Sequence, residues 1–393
     1  MKNIKIVIGA NYGDEGKGLA TNFFAKQAKE NKVKTVVVLH NGGFQRGHTV
    51  IHNDIRHVFH CFSSGTFQNT TTYYASSFIL NPMFFKNEYE QLKAYGYEPK
   101  VMVNPNCRIS TLYDMMINQI IEEHRDKERH GSCGFGVWET VVRDRIYPFT
   151  IQDLLNSKNK EDLITSFLFM IRENYVFNRL EELGLEIIPV KKVQQIFNND
   201  LVAKYIEDLL FMLNHIEPQE TTIIDTFDTI IFEGSQGLLL DKKYALKVEN
   251  STPSNTDLTN PSNIIKELKM LGYLEETDIE THYITRTYLT RHGAGDFATE
   301  CNKEDINKDM FDKTNIHNDY QGTLRYGYID INELQERIKN DSKLIPQNRY
   351  FLFVTHLNET NNMFYSRDKK MVPVTEVKNI KYISKTETKV EEI

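Results

Sequence analysis

Several features that would decide a protein's class at once are missing from this sequence. The four cysteines, Cys61, Cys107, Cys133 and Cys301, stand far apart among 393 residues. None forms a C-x-x-C pair, which excludes the common zinc spacings and gives no disulfide framework; a reducing cytoplasm is the compartment expected. The net charge is -7 and the basic residues are dispersed. Without a basic stripe, nucleic-acid binding is not expected. No stretch approaches the ~18 apolar residues of a membrane helix. The apolar run at residues 4–9 is too short for a signal peptide, so no membrane association is expected. Internal repeats and low-complexity linkers are also absent.

What is present reads as an ordinary globular protein, 40% hydrophobic and 26% charged. That supplies a large core, read as a single domain over 1–393. Residues 4–8 form a short apolar strand, a Gly-rich turn spans residues 9–18, and residues 19–29 have the mixed pattern of a surface helix. A second buried strand follows at residues 35–39, and further strands are read at 229–232 and 351–355. Strands alternating with helices, each ending in a polar loop, predict an α/β fold with a mainly parallel central sheet. Surrounding helices cover it, and ligands bind at its carboxyl edge. Residues 151–217 carry helical spacing and read as a helical insertion; the charged tail at about 385–393 is expected to fray.

Two loops carry chemistry. The first runs Gly9-Ala10-Asn11-Tyr12-Gly13-Asp14-Glu15-Gly16-Lys17-Gly18. Glycines let backbone N–H groups turn toward an anion, the helix N-terminus adds its positive end, and Lys17 neutralises a phosphate. This predicts a P-loop-like phosphate site in which Gly13, Glu15, Gly16 and Gly18 line the ligand. It is not a Walker A sequence, because Gly18 stands where that motif needs Ser or Thr for magnesium; Asp14 is a candidate metal ligand instead. The second loop is Gly42-Gly43-Phe44-Gln45-Arg46-Gly47-His48-Thr49. His48 suits a proton donor to a developing oxyanion. On its own it would be one of twelve ordinary histidines. Neighbouring parallel strands, however, would bring His48 and Asp14 to one crevice.

Read together, these loops resemble the adenylosuccinate synthetase family. G-D-E-G-K-G after the first strand, G-G-x-x-x-G-H-T after the second and F-E-G-x-Q-G at residues 232–237 occur in that order. Further matches are Ser64-Gly65, Leu80-Asn81-Pro82, the S-N-T within residues 252–256, and Thr290-Arg291-His292-Gly293-Ala294-Gly295 with Phe297 and Thr299-Glu300. The chain is similar to the family along nearly its whole length, as a divergent member. The resemblance implies an NTP-dependent ligase that phosphorylates the 6-oxygen of a purine nucleoside monophosphate such as IMP, then joins L-aspartate at C6. It implies Mg2+ held by Asp14 and the Gly47 carbonyl. Asp14 would take the purine N1 proton, His48 would donate to the 6-oxygen, Lys17 would stabilise the transferring phosphoryl, and Gln236 would bond the oxyanion. Gln45, Thr49, Ser132, Cys133, Thr252, His292, Arg325, His356 and Asn358 would line the substrates. A homodimer is implied, with Arg143 as the arginine that reaches a partner's nucleotide.

Departures from the family pattern gather around the substrates. N-A before G-H-T becomes Gln45-Arg46, a T-T pair becomes Ser132-Cys133, and a valine becomes His292. The family's T-K-x-D, which serves guanine of GTP, is here Thr355-His356-Leu357-Asn358. Asn358 both donates and accepts, a pattern suited to adenine, so ATP or dATP is the expected donor. An arginine-rich amino-acid loop is reduced to Asp319-Tyr320-Gln321-Gly322-Thr323-Leu324-Arg325. Grip on aspartate then falls to Arg325, unless Arg46 or Arg291 substitutes. Three alternatives remain open: a 2-aminoadenylosuccinate-type synthetase using GMP or dGMP with ATP, an enzyme that keeps the phosphorylation step but uses another nucleophile, and a non-catalytic nucleotide-sensing homologue.

Overall fold

The computed structural model describes residues 1–125, 132–245, 256–310, 317, 320, 322–368 and 370–393. Thr252, Asp319 and Gln321, singled out above, lie outside the described residues. The main sheet has ten strands: β1 (Lys2–Gly9), β2 (Thr35–Leu39), β3 (Thr71–Tyr74), β4 (Lys100–Val103), β5 (Glu217–Pro218), β6 (Thr229–Gly237), β7 (Thr277–Thr285), β8 (Arg349–Val354), β9 (Ile380–Ile383) and β10 (Glu391–Glu392). Their order is β10-β9-β8-β7-β1-β6-β2-β3-β4-β5. Every pairing is parallel except that of β9 with β10. The predicted α/β architecture with a mainly parallel sheet is the one observed.

Side-chain alternation explains why the central strands are apolar throughout. Ile4, Ile6, Ile8, Val36, Val38, Ile230 and Phe232 pack on one face. Val7, Val37, Leu39 and Ile231 pack on the other. With both faces covered, each strand becomes a continuous apolar run rather than an alternating one. The strand pairing differs from expectation in one respect: β1 and β2 are not neighbours. β6 lies between them and pairs with both. Its run of buried apolar residues suits the central slot, and its far end brings Glu233 and Gln236 between the two loops.

Register then builds a shared edge. Val7 of β1 and Leu39 of β2 both stand opposite Glu233 of β6. Gly9 stands opposite Ile284 of β7, and Val354 of β8 opposite Thr285. The loops that leave these strands therefore open on one crevice at the carboxyl edge.

α1 (Lys17–Glu30) follows the first loop, and α2 (Leu112–Arg125) and α3 (Val137–Asp144) follow β4 in the chain. Further helices run from Ile151–Asn156 to Asn199–Leu213, within the stretch read as a helical insertion. The charged tail turns back, and β10 adds to β9 through Ile383 and Tyr382. Among the described residues, no helix is long and apolar enough to cross a membrane.

Arg143 corrects one expectation. It is fully buried at the end of α3, not turned toward a partner subunit. Its Nε lies 3.1 and 3.2 Å from the two Asp114 oxygens, and its Nη1 and Nη2 bond the Tyr147 and Ile109 carbonyls at 2.6 and 2.8 Å. Asp114 also accepts from the Thr111 amide and the Thr140 hydroxyl. With its guanidinium consumed inside the chain, Arg143 is the ionic pin of α2 on α3. Arg143→Met would strand a buried carboxylate, and urea unfolding is expected to register a loss of roughly 3–5 kcal/mol. A loss below about 1 kcal/mol, the range of a surface pair, would contradict the pinning role.

Candidate functional site

The first loop, between β1 and α1, is held from behind by side-chain donors from three distant segments. Arg337 of α4 (Ile331–Ser342) gives Nε to the Ala10 carbonyl at 3.0 Å and Nη2 to Asn11 Oδ1 at 2.7 Å. Thr290 bonds the Gly13 carbonyl at 2.9 Å, Arg286 the Asp14 carbonyl at 2.5 Å, and Thr355 the Glu15 carbonyl at 2.7 Å. With these carbonyls drawn backward, the backbone N–H groups of Gly13, Asp14, Glu15 and Gly16 meet no acceptor among the described residues. They join the open first turn of α1 as an anion cradle. Gly16 caps that helix at φ 91, where a Cβ would also press on Thr355 at 3.0 Å. Gly18 lets α1 settle against the Thr49 carbonyl, which a Cβ would meet at 2.7 Å.

Asp14 and Glu15 diverge. Asp14 sits in the left-handed region, φ 56, with Oδ2 3.2 Å from His292 Nε2. Burial alone would raise its carboxyl, but the charge and hydrogen bond of His292, with Arg286 and Lys17, hold it well below the usual range. Glu15 corrects the expectation that it lines the ligand. It turns inward, 2% exposed, and accepts from the Asn11 amide and side chain at 2.9 and 2.7 Å. The reason is local: the loop needs an internal acceptor for the otherwise buried Asn11 N–H. Burial pushes the Glu15 carboxyl up to about 7, with Lys17 and Asn11 offsetting only part.

The second loop, between β2 and the His48–His52 strand, meets β6 at Glu233. His48 Nδ1 lies 2.7 Å from Glu233 Oε1, and Arg46 Nη2 lies 2.9 Å from Oε2. The Ser64 amide donates to Oε2 at 3.1 Å and its hydroxyl to Oε1. Burial would raise the Glu233 carboxyl, but Arg46, His48 and Ser64 hold it far below the usual range. Burial, then the Arg46 charge, push His48 down to about 3. A neutral imidazole bonded this way carries its proton on Nδ1. Lys17, 4% exposed, links the two loops. Burial lowers its ammonium pKa, while Glu15, Asp14 and Glu233 raise it and Arg46 lowers it further.

Several buried polar atoms here have no partner among the described residues: His48 Nε2, Gln236 Oε1 and both amide atoms of Gln45. Unpaired buried polar groups are costly. These atoms lie in the second loop and at the end of β6, and a ligand bound at this sheet edge would satisfy them.

The other residues expected to line substrates are placed as follows. Thr49 lies half-buried in the hairpin after Gly47. Ser132 bonds Asn118 at 3.0 Å, and burial pushes the Cys133 thiol up to about 11. Their loop borders the second loop, because Phe135 stacks on Phe44 at 6.0 Å. His356 occupies φ 59 and bonds Thr355 Oγ1 at 2.7 Å; Asn358 is exposed in the turn Leu357–Glu359. Arg325 is another correction. Its Nε and Nη2 grip Glu300 at 2.8 and 2.5 Å, and its Nη1 bonds the Gly293 and Gly295 carbonyls. The chain thus occupies four of the five N–H donors of this guanidinium. The suggested substitutes are also engaged: Arg46 with Glu233, and Arg291 with the Ala294 and Asp296 carbonyls.

Sequence reasoning did not single out Arg286 and Arg337, and it placed Glu233 and Ser64 in family motifs without giving either a role. Glu233 carried a signal, a lone carboxylate inside an apolar strand. The arginines gave none, since only the fold brings them to the first loop.

A family model described as adenylosuccinate synthetase matches residues 6–343. The chain is similar to the adenylosuccinate synthetase of Streptomyces griseus, 27% identical over 317 residues, covering 76% of this chain and 66% of that protein. It is also similar to that of Buchnera aphidicola, 27% identical over 301 residues, covering 75% and 65%. The match thus spans slightly under two thirds of these relatives' length. Among solved structures, fully ligated adenylosuccinate synthetase from Plasmodium falciparum aligns with TM-score 0.62 at 17% identity, covering 91% of this chain and 77% of that one. Cyanophage S-2L succinoaminodeoxyadenylate synthetase, bound to dGMP and to dATP as an energy donor, aligns with TM-score 0.64 at 12% identity, covering 100% and 95%. At these identities the two structures speak to the fold.

Glu15 gives this site a measurable pH signature. Its folded-state value of about 7 lies above the ordinary 4.5, so between those pH values the folded chain holds a proton that the unfolded chain has lost. Stability contributed by protonated Glu15 is complete below pH 4.5 and falls as pH rises through 7. The difference amounts to about 3 kcal/mol. Unfolding measured across this window should therefore show Glu15→Gln, which mimics the protonated acid, losing less stability than the parent chain. Parallel pH profiles would contradict it.

Proposed function

The chain belongs to the adenylosuccinate synthetase family, and from that premise we propose that it is an NTP-dependent C–N ligase acting on a purine nucleoside monophosphate. One observation carries the reading: Asp14, Lys17, Gln236 and the His48–Glu233 pair converge on an N–H cradle at one sheet edge. In the proposed reaction the 6-oxygen of an IMP-like monophosphate attacks the γ-phosphoryl of the NTP, and the NDP leaves. The amine of an amino acid, L-aspartate by family analogy, then attacks C6 and inorganic phosphate leaves.

Each residue has a distinct part. The depressed Asp14 carboxylate accepts the N1 proton as charge moves onto the 6-oxygen. Lys17 and the cradle stabilise charge on the transferring phosphoryl. Gln236 orients the oxyanion through its amide. His48 faces the 6-oxygen through Nε2. Burial and the cations Arg46 and Lys17 keep it neutral before substrates arrive. An incoming polyphosphate offsets those cations, and Nε2 then takes up the proton it donates. The Asp14 carboxylate and the Gly47 carbonyl would hold Mg2+ arriving with the NTP, since both offer the hard oxygen donors that ion takes. Bound there, the ion would neutralise phosphate charge.

ATP or dATP is the proposed donor, because Asn358 offers both a donor and an acceptor where a guanine site needs a carboxylate. The cyanophage relative in fold binds dATP as its energy donor, which supports this preference. Its dGMP also favours a second reading, in which the monophosphate is GMP or dGMP and the product a 2-aminoadenylosuccinate-type nucleotide. Aspartate would be gripped only if Arg325 exchanges Glu300 for the substrate carboxylate. The homodimer of the family remains part of the proposal, without Arg143 as its crossing residue. Loss of turnover, with nucleotide sensing retained, is disfavoured by the presence of both a base and a proton donor.

Phosphate release from ATP, dATP and GTP, tested against IMP, GMP and dGMP with aspartate and other amino acids, checks the reaction. Release is expected with at least one adenine nucleotide, and Asp14→Ala should cut it by about 10²–10⁴-fold. No release in any combination would overturn the ligase reading. In thermal melts without a monophosphate, dATP or ATP should raise the Tm more than GTP does. The opposite order would overturn the reading of Asn358.

A further inference from the structure

We infer that Arg46 is a positioning residue: its contact with Glu233 fixes that carboxylate so that His48 holds one tautomer, with Nε2 aimed into the crevice.

The geometry is that of a clamp. Arg46 and Glu233 side chains are each 0% exposed, and Nη2 sits 2.9 Å from Oε2. The Ser64 amide reaches the same oxygen at 3.1 Å. Oε1 is thereby left toward His48 Nδ1 at 2.7 Å and the Ser64 hydroxyl. A carboxylate can rotate about its terminal torsion, which is broad and roughly two-fold. Two donors on Oε2, one of them charged, suppress that rotation. A carboxylate held so accepts from Nδ1–H and fixes both the tautomer and the ring direction.

Arg46 is expensive for a residue that does nothing but pack. Its Nε and Nη1 meet no acceptor among the described residues. Its remaining contact is a long one, Nη2 to the Phe62 carbonyl at 3.5 Å. A buried guanidinium with two nitrogens unpaired is a net cost to folding. Local rules are broken in this way where function compensates. Both Arg46 and His48 belong to the loop of residues 42–49, so the cation is delivered beside the imidazole by the same turn.

Tautomer populations test the inference without any reaction. In a chain labelled with 15N-histidine, His48→Gln identifies the His48 signals by their loss. The parent chain should show His48 as a single tautomer protonated at Nδ1. In Arg46→Met, similar in volume but uncharged, two tautomers should exchange; a single Nδ1 tautomer in the folded variant would overturn the inference. Arg46→Ala should also show two, with added guanidinium restoring one; failure of guanidinium to restore it would overturn the inference. Should the neutral variants not fold, Arg46→Lys keeps a charge within reach and should retain the Nδ1 form; its loss would likewise overturn the clamp.

The kinetic arm rests on the ligase reading. Arg46→Met should lower kcat by about 100-fold, as misplacement of a catalytic group does, with KM for either nucleotide unchanged. Guanidinium should rescue Arg46→Ala but not His48→Gln, a pattern that a loss of folded protein would not give. An inactive parent chain would sink the ligase reading while leaving the tautomer result to decide the clamp.

Discussion

A single carboxylate at the centre of the sheet, Glu233, ties the candidate site together. It lies where β6 leaves its apolar run, opposite Val7 of β1 and Leu39 of β2. Taking a carboxylate out of water costs several kcal/mol unless donors surround it. Arg46, His48 and Ser64 supply those donors from two loops. The cost of burying one charge is thus what fixes the path of residues 42–49 and 63–65. A second tie lies just beyond, where the Ser235 amide bonds Asn41 Oδ1 at 2.9 Å and its hydroxyl bonds the Asn41 carbonyl. Remove the charge at 233 and Arg46 becomes an unpaired buried cation, so fold and site fail together.

The first loop solves a related problem with adjacent acids. Asp14 and Glu15 are neighbours in sequence, yet one carboxyl is held down and the other is pushed up to about 7. The left-handed turn at Asp14 separates them. It sends Asp14 toward His292 and Glu15 toward Asn11. Two like groups in opposed environments are how a fold keeps one carboxyl ionised and raises the other at one pH. Arg286 and Arg337 complete the arrangement from behind, leaving the loop's N–H groups as the face presented to a ligand.

Legibility in the sequence followed the range of the interactions. Strand and loop positions around residues 4–18, 35–49, 229–237 and 349–358 could be read because each is local: an apolar run, then glycines and polar residues. The pairing of β6 between β1 and β2 could not, since all three are equally apolar and parallel order is decided by tertiary packing. The same limit explains Arg143. The family resemblance suggested an arginine reaching a partner's nucleotide, but α3 rotates it onto Asp114, 29 residues away. Glu15 misled for the opposite reason: its partner Asn11 is four residues back, inside the motif whose composition was read as wholly ligand-facing.

Phosphate handling and substrate choice thus rest on different kinds of structure. The cradle is backbone, braced at four carbonyls by side chains from three distant segments, and it can change only if the sheet edge changes. The surfaces expected to read a base or an amino acid are single side chains: Gln45 and Asn358 on turns, and Arg325 at the start of the short strand Arg325–Gly327. Gln45 carries an unsatisfied amide, Asn358 is exposed, and Arg325 is already spent on Glu300. Such positions can exchange donors for acceptors without disturbing the core. In the reaction proposed above, phosphoryl transfer would rest on the sheet edge, whereas the purine edge, the donor base and the nucleophile would be read by a few amides and one engaged arginine.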